Sequence, residues 1–316
     1  MNTSPSSSSH SPATSAPGLP GRVVGERALV LGGGGSTGNA WLIGVVAGLF
    51  EAGVDVTAPD LTVGTSAGST AAAQLSGATP ADLLAAVLAA APPERRAPGG
   101  ANRDRGSNRQ VVDHLERMRA LIASAHDPAD LRKRVGGAAL AREATSDGSW
   151  QDRWRTTVAS RLPGQDWPLR RVLLTAVDAE TGDPVVFDRD SGIDLVDAVA
   201  ASCSSGLPYQ IAGRRYIDGG YRRNENADLA EGHGRVLVLS PFGGRSLTPP
   251  TWGLQLAAQA DELRAGGSEV VTIVPDEGSE HLFGADAMDV SLRPTAARTG
   301  YEQGLGLGDR LTAFWG

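Results

Sequence analysis

Leu61-Thr62-Val63-Gly64-Thr65-Ser66-Ala67-Gly68-Ser69-Thr70-Ala71-Ala72-Ala73 passes from a short apolar strand straight into an alanine-rich helix, with Ser66 at the corner. This is the setting of a G-x-S-x-G nucleophile elbow, a tight strand-to-helix turn that holds a hydroxyl at its tip. Gly64 and Gly68 fall where strand and helix come closest, and side chains there would collide. Ser66 falls at the positive end of the following helix, where negative charge is stabilised. The same letters also describe a plain helix start with a capping serine, so the surrounding chain decides their meaning.

Upstream, Glu26-Arg27-Ala28-Leu29-Val30-Leu31 has the pattern of a buried strand. It enters Gly32-Gly33-Gly34-Gly35-Ser36-Thr37-Gly38 and then an apolar helix from Asn39 to Glu51. Strand, glycine loop and helix start together expose several backbone N–H groups beside a favourable dipole end, an anion-binding arrangement. Gly33 to Gly38 fits the dinucleotide fingerprint G-x-G-x-x-G. The same loop serves equally as an oxyanion hole for acyl transfer. A dinucleotide site wants an acidic residue at the end of the second strand. Asp55 and Asp60 precede that strand, which ends instead in Gly64-Thr65-Ser66. The hydrolytic reading is favoured.

Composition narrows the class. The chain has 316 residues, 41% hydrophobic and 21% charged, as expected of a globule with a substantial core. A net charge of −7, with no basic stripe interleaved with aromatics, argues against a nucleic-acid partner. The single cysteine, Cys203, forms no intramolecular disulfide and fits a reducing cytosol. No run of 18 apolar residues exists to span a bilayer. Residues 1–24 are Ser/Pro/Thr-rich, lack the apolar segment of a secretory signal, and are expected to form a disordered tail before a single domain over 25–316.

Beyond the elbow, Pro80 to Ala91 has a helical pattern. An Arg-, Gly- and Pro-rich stretch from Pro92 to Gln110 suggests a loop, and helical pieces follow at Val111–Ala125, Ala129–Arg142 and Trp150–Leu162. Residues 92–162 are therefore expected to form a mobile Arg-rich helical insert, in which His114 and His126 have no assigned role. A strand at Arg171–Asp178, a helix at Asp194–Ser202 and a hairpin from Tyr209 to Gly220 come next. That hairpin turns at Ala212-Gly213 and ends in Asp218-Gly219-Gly220. Strands at Arg235–Leu239 and Glu269–Val274 alternate with helices near Trp252–Arg264 and Thr295–Phe314. The alternation predicts an α/β fold with a mainly parallel sheet.

Three motifs in this order, Gly33 to Gly38, Gly64-Thr65-Ser66-Ala67-Gly68 and Asp218-Gly219-Gly220, resemble the patatin-like phospholipases. The similarity extends to Ala200-Ala201-Ser202 through Pro208, Asn226-Ala227-Asp228-Leu229 and the Val236–Pro241 strand. It covers roughly Arg27 to Phe314, with the 92–162 segment poorly matched. The resemblance implies a three-layer α/β/α fold and a lipid acyl hydrolase of phospholipase A or lysophospholipase type. It also implies a Ser66–Asp218 dyad, an oxyanion loop over Gly33, Gly34, Gly35, Ser36, Thr37 and Gly38, and Gly64, Gly68, Gly219 and Gly220 as supporting positions. No cofactor or metal is expected. The substrate would be a lipid ester met in the cytosol or at a membrane surface.

Chemistry makes the dyad workable. Ser66 must lose its proton as it attacks a carbonyl, and a solvated carboxylate near pKa 3.9 is a poor base. Burial would raise the basicity of Asp218. One departure stands out: the family usually carries Arg or Lys just before the loop's last glycine, and here that residue is Thr37, placed to donate a hydrogen bond instead. The rival is an α/β-hydrolase with His281 as base, since Ser66, Asp218 and His281 follow that fold's chain order. Against it, His281 lies in a polar loop sequence and the elbow follows only the second strand. His233, in Glu231-Gly232-His233-Gly234, also suggests an exposed loop.

Overall fold

Ala28-Leu29-Val30-Leu31 is fully buried, as expected of a strand covered on both faces. A computed structural model of the chain describes residues 25–90 and 115–316. The tail expected over 1–24, the loop expected over 92–110 and His114 lie outside the described residues. The strand β1 (Gly25–Leu31) pairs in parallel with β2 (Leu61–Gly64) and with β7 (His233–Leu239). Parallel pairing continues from β2 to β3 (Arg171–Asp178) and from β7 to β8 (Glu269–Ile273). The remaining strands are antiparallel: β4 (Pro184–Phe187) on β3, and the hairpin β5 (Tyr209–Ile211) and β6 (Arg214–Asp218) joined through β6 to β3. The hairpin turns through Ala212 and Gly213, both at positive φ (48° and 82°), the geometry whose twist matches paired strands.

Strand alternation divides the core in two. Leu29 and Leu31 join Trp41, Leu42 and Val45 of α1 (Gly35–Glu51) on one face. Ala28 and Val30 join Leu256, Ala260 and Leu263 of α8 (Leu256–Ala265) on the other. Helices thus cover both faces of a mainly parallel sheet.

The first face also carries α2 (Ala67–Gly77) and α3 (Pro80–Ala89), while α4 (115–124), α5 (Pro128–Glu143) and α6 (Trp150–Ala159) lie further along the chain. Part of the segment expected to be a mobile insert is packed. Leu131, Val135 and Ala139 of α5 bury against Val177 and Ile217, and the Trp154 indole donates to the Ala200 carbonyl at 3.0 Å. Apolar residues at helical spacing on α5 account for this; the surrounding arginines masked them in the sequence.

The C-terminal helix expected as one piece is two, α9 (Arg293–Gly306) and α10 (Gly308–Trp315). Gly44 and Gly48 of α1 face the α9 backbone at Ala297 and Tyr301, and Gly300 and Gly304 of α9 face the α1 backbone at Trp41 and Val45. A Cβ at any of the four would overlap the opposing carbonyl, so only glycine permits this approach. The contacts run in the same direction along both chains. The two helices are therefore parallel, and their N-termini emerge together.

Candidate active site

Ser66 sits two residues past the end of β2 with φ 54° and ψ −116°, a conformation costing a non-glycine residue about 1–3 kcal/mol. The surroundings enforce it. The Thr65 amide donates to the Leu31 carbonyl at 3.0 Å, and a Cβ on Gly68 would overlap that carbonyl. From the end of α7 (Leu195–Ser202), the Ser202 hydroxyl accepts the Ser66 amide at 3.0 Å, and the Cys203 thiol donates to the Ser66 carbonyl at 3.0 Å. Burial pushes the Cys203 thiol up to about 12, so it stays protonated and serves as a donor.

Asp218 arrives from the antiparallel side. On β3, Leu174 pairs with Gly64 of β2 and Ala176 pairs with Asp218 of β6, while β4 pairs with both Leu174 and Ala176. Because β4 occupies one edge, β2 and β6 share the other, and Asp218 takes up the pairing just beyond where β2 ends. Asp218 is 7% exposed. Burial raises its pKa to about 6; a 2.8 Å hydrogen bond from the Gly220 amide and an interaction with the Ser66 hydroxyl pull it part of the way down. Gly219 lies against Thr175, where a Cβ would overlap both the hydroxyl and the carbonyl.

The glycine loop closes over this pair. A Cβ on Gly33 would stand 3.6 Å from the Ser66 Cβ and 2.7 Å from the Asn224 Oδ1. Asn224 holds Gly33 at both ends: its carbonyl accepts the Gly33 amide at 3.0 Å and its Nδ2 donates to the Gly33 carbonyl at 3.2 Å. Among the described residues the Gly34, Gly35 and Ser36 amides have no acceptor, whereas those of Thr37 and Gly38 bond to the Ala287 and Gly34 carbonyls. Three unpaired donors at a helix start suit a developing oxyanion.

Thr37 donates the hydrogen bond expected of it, but its amide is taken by the Ala287 carbonyl and is not free for an oxyanion. It is fully buried, and its hydroxyl donates to the Leu282 carbonyl at 2.7 Å. It ties the 282–287 loop to α1. The nearby cation is instead Arg293, in the first turn of α9, which donates to the Ser36 carbonyl at 2.6 Å and to the Asn39 Oδ1 at 3.0 Å. His233 is also placed differently from the exposed loop expected: it opens β7, is buried, and approaches the Ala230 carbonyl at 3.0 Å through Nδ1. His281 is exposed, with Nδ1 2.9 Å from the Gly278 carbonyl. Neither is among the groups that shift Asp218.

Asn224 and Arg293 carry no local signature, whereas Ser202 and Asn226 fall in stretches of the family resemblance without a role assigned to them there. Asn226 is the most constrained: fully buried at φ 53°, its Nδ2 donates to Thr65 Oγ1 at 3.0 Å and to the Arg223 carbonyl at 2.7 Å, beneath the elbow. An asparagine before Ala-Asp in a left-handed turn is the one signal that could have marked it. A groove of about 720 Å³ lined by Ala47, Phe50, Leu84, Leu88 and Tyr301 lies toward the other end of α1, about two and a half turns or more from the loop.

Sheet, flanking helix layers and the strand-to-helix turn at Ser66 together define a three-layer α/β/α fold with a mainly parallel sheet. The chain belongs to the patatin-like phospholipase family: the family model matches residues 29–231, from β1 past Asp218, and membership carries lipid hydrolysis in the broad sense. Among solved structures, VipD from Legionella pneumophila is similar at 16% identity with a TM-score of 0.40, covering 90% of this chain and 67% of its own. The type III effector ExoU is similar at 17% identity and a TM-score of 0.32, covering 89% of this chain and 53% of that one. Full-length ExoU with SpcU, from the type III secretion system of Pseudomonas aeruginosa, gives 18% identity and a TM-score of 0.30, covering 90% and 53%. The chain thus spans about two thirds of VipD and half of ExoU. No curated protein matches the sequence. Among the described residues, no helix is long and apolar enough to cross a membrane.

Proposed function

We propose that this chain is a serine lipid acyl hydrolase of phospholipase A or lysophospholipase type, working through a Ser66–Asp218 dyad. Ser66 Oγ attacks the ester carbonyl and its proton passes to Asp218. The Gly34 and Gly35 amides, with that of Ser36, hold the oxyanion. Asp218 then protonates the leaving alcohol, and in the second half-reaction takes a proton from the water that releases the acyl group. The observation carrying this reading is a buried carboxylate, raised to about 6, beside a strained serine hydroxyl. A base poised near neutrality is what the proton transfer needs. The substrate would be a lipid ester approached from the cytosol, at a membrane surface or micelle.

Two observations weigh against the alternatives. The Asp60 carboxylate is occupied by the Glu26 and Arg27 amides at 2.7 and 2.9 Å, at the start of β1, far from the place a nucleotide ribose would need it. His281 makes its only side-chain hydrogen bond among the described residues to the Gly278 carbonyl, not to a carboxylate. A fluorophosphonate probe with peptide mapping tests the reading. Attachment at Ser66 alone, lost in Ser66→Ala, is expected; equal labelling of that variant would overturn it.

A further inference from the structure

One buried amide touches both of the segments that carry Ser66 and Asp218. Asn226 follows the hairpin that ends in Asp218 and is fully buried at φ 53° and ψ 39°. Glycine fits that left-handed backbone with less strain, so asparagine stands there for its side chain. Its Nδ2 donates to Thr65 Oγ1 at 3.0 Å and to the Gly219 carbonyl at 3.3 Å. Thr65 precedes Ser66, and Gly219 follows Asp218. The other acceptors around Nδ2 are the Arg223 carbonyl at 2.7 Å and Thr175 Oγ1 at 3.3 Å. Thr175 belongs to β3, the strand on which β2 and β6 both pair, and its hydroxyl donates to Thr65 Oγ1 at 2.9 Å. Thr65 and Thr175 are buried as well, which makes this a polar core beneath the ends of β2 and β6.

The amide has one usable orientation. Arg222 Nη1 donates to Asn226 Oδ1 at 2.7 Å, and a guanidinium can only donate. Turning the amide over would set Nδ2 against that cation and Oδ1 against the Gly219 and Arg223 carbonyls. Arg222 is itself fixed, because both its terminal nitrogens bond the Asp228 carboxylate as a fork. Asp228 lies two residues past Asn226, in the turn Ala227–Ala230. A partly exposed ion pair thus sets the direction of an amide beneath the nucleophile. At 24% exposure the Arg222 side chain reaches solvent, so it can be replaced without emptying the core.

We propose that Asn226 is the positioning residue that sets the separation of Ser66 and Asp218, and that the Arg222–Asp228 pair holds its amide in register. This rests on the hydrolase reading of Ser66 and Asp218, and adds to it a group that touches no substrate. The strands leading to the two residues pair with β3 and not with each other. Asn226 ties the two segments together with one side chain. Proton transfer between them is sensitive to that geometry, since a misplacement of about 1 Å costs about 10²-fold in rate.

The test is Asn226→Gly, which keeps the left-handed backbone and removes the amide. Per site titrated with a fluorophosphonate, kcat for a short neutral ester should fall about 10²-fold with KM little changed. Asp218→Asn should cost less in this background than in wild type, because the pair is already out of register. Arg222→Gln should lower kcat in the same way by less, and it carries the comparison should Asn226→Gly not fold. Arg235→Gln, which breaks an ion pair with Glu26 at the start of β1, should leave kcat unchanged. Crystal structures of wild type and Asn226→Gly read the position without turnover, and a wider Ser66 Oγ to Asp218 carboxylate separation is expected in the variant. An asparagine that only stabilises the fold would lower the unfolding midpoint and leave both kcat per titrated site and the separation as in wild type. That result, or full additivity with Asp218→Asn, would overturn the proposal. Absence of ester turnover and probe labelling in wild type would instead strike the hydrolase reading, with the separation still deciding whether Asn226 positions the pair.

Discussion

Asp218 and Gly64 occupy the same edge of β3, at Ala176 and Leu174, so that the antiparallel strand takes over where the parallel one stops. That handover brings two distant motifs together: Gly64 leads into Ser66, and Asp218 ends β6. The Gly220 amide donates to Asp218 Oδ1 at 2.8 Å, and the Ser66 hydroxyl is the other group that bears on the carboxylate. The carboxylate is thus anchored from one side by the backbone that follows it and faces the serine.

A raised carboxylate should appear in the rate. Asp218 must be ionised to accept a proton, so kcat/KM for a short neutral ester should rise with pH through about 6 and level off above it. A profile whose acid limb lies near 4 would show that Asp218 titrates like a solvated carboxylate.

Asp218 should also cost stability where it is charged. Its folded pKa, about 6, lies above the unfolded 3.8, so the folded protein holds the proton more tightly and loses stability as pH rises from about 4 to beyond 6. Asp218→Asn removes this cost. It should be more stable than wild type at pH 8, by up to about 3 kcal/mol, with the gain vanishing below pH 4. Urea denaturation at the two pH values checks it; a variant less stable at pH 8 would contradict it.

Thr37→Arg should not restore a helpful cation. The site is fully buried and its hydroxyl is bonded to the Leu282 carbonyl, so arginine would overpack it and bury a charge. Lower stability and lower activity on every substrate are expected, while Thr37→Ser keeps both near wild type. Faster turnover of anionic lipids by stable Thr37→Arg would show that the position opens onto substrate.

Histidine removal separates dyad from triad. His281→Ala should keep kcat close to wild type. His233→Ala should lower stability, because the ring is buried, yet leave the rate per folded molecule unchanged. A loss beyond about 100-fold in either, in folded protein, would give a histidine the base's part.

Much of this was legible in the chain. The elbow is a local event, a strand running into a helix through glycines, and sequence spacing reports local events well. The mainly parallel sheet followed from strand–helix alternation. What stayed hidden is long-range. Thr37 reads the same whether it faces Ser66 or Leu282, and only the packing of the 282–287 loop decides. Arg293 lies 257 residues from Ser36, and it reaches that carbonyl only because glycines on α1 and α9 let the two backbones meet. His233 appeared exposed because glycines flank it; its burial comes from the register of β7 against β1.

The most direct test of the dyad is the steady-state rate of purified Asp218→Asn, shown by its unfolding curve to be native. Asparagine keeps an acceptor for the Gly220 amide but cannot take the proton from Ser66. A fall of about 10² to 10⁴ in kcat is expected, with KM little changed. Turnover at the wild-type rate would contradict a Ser66–Asp218 dyad.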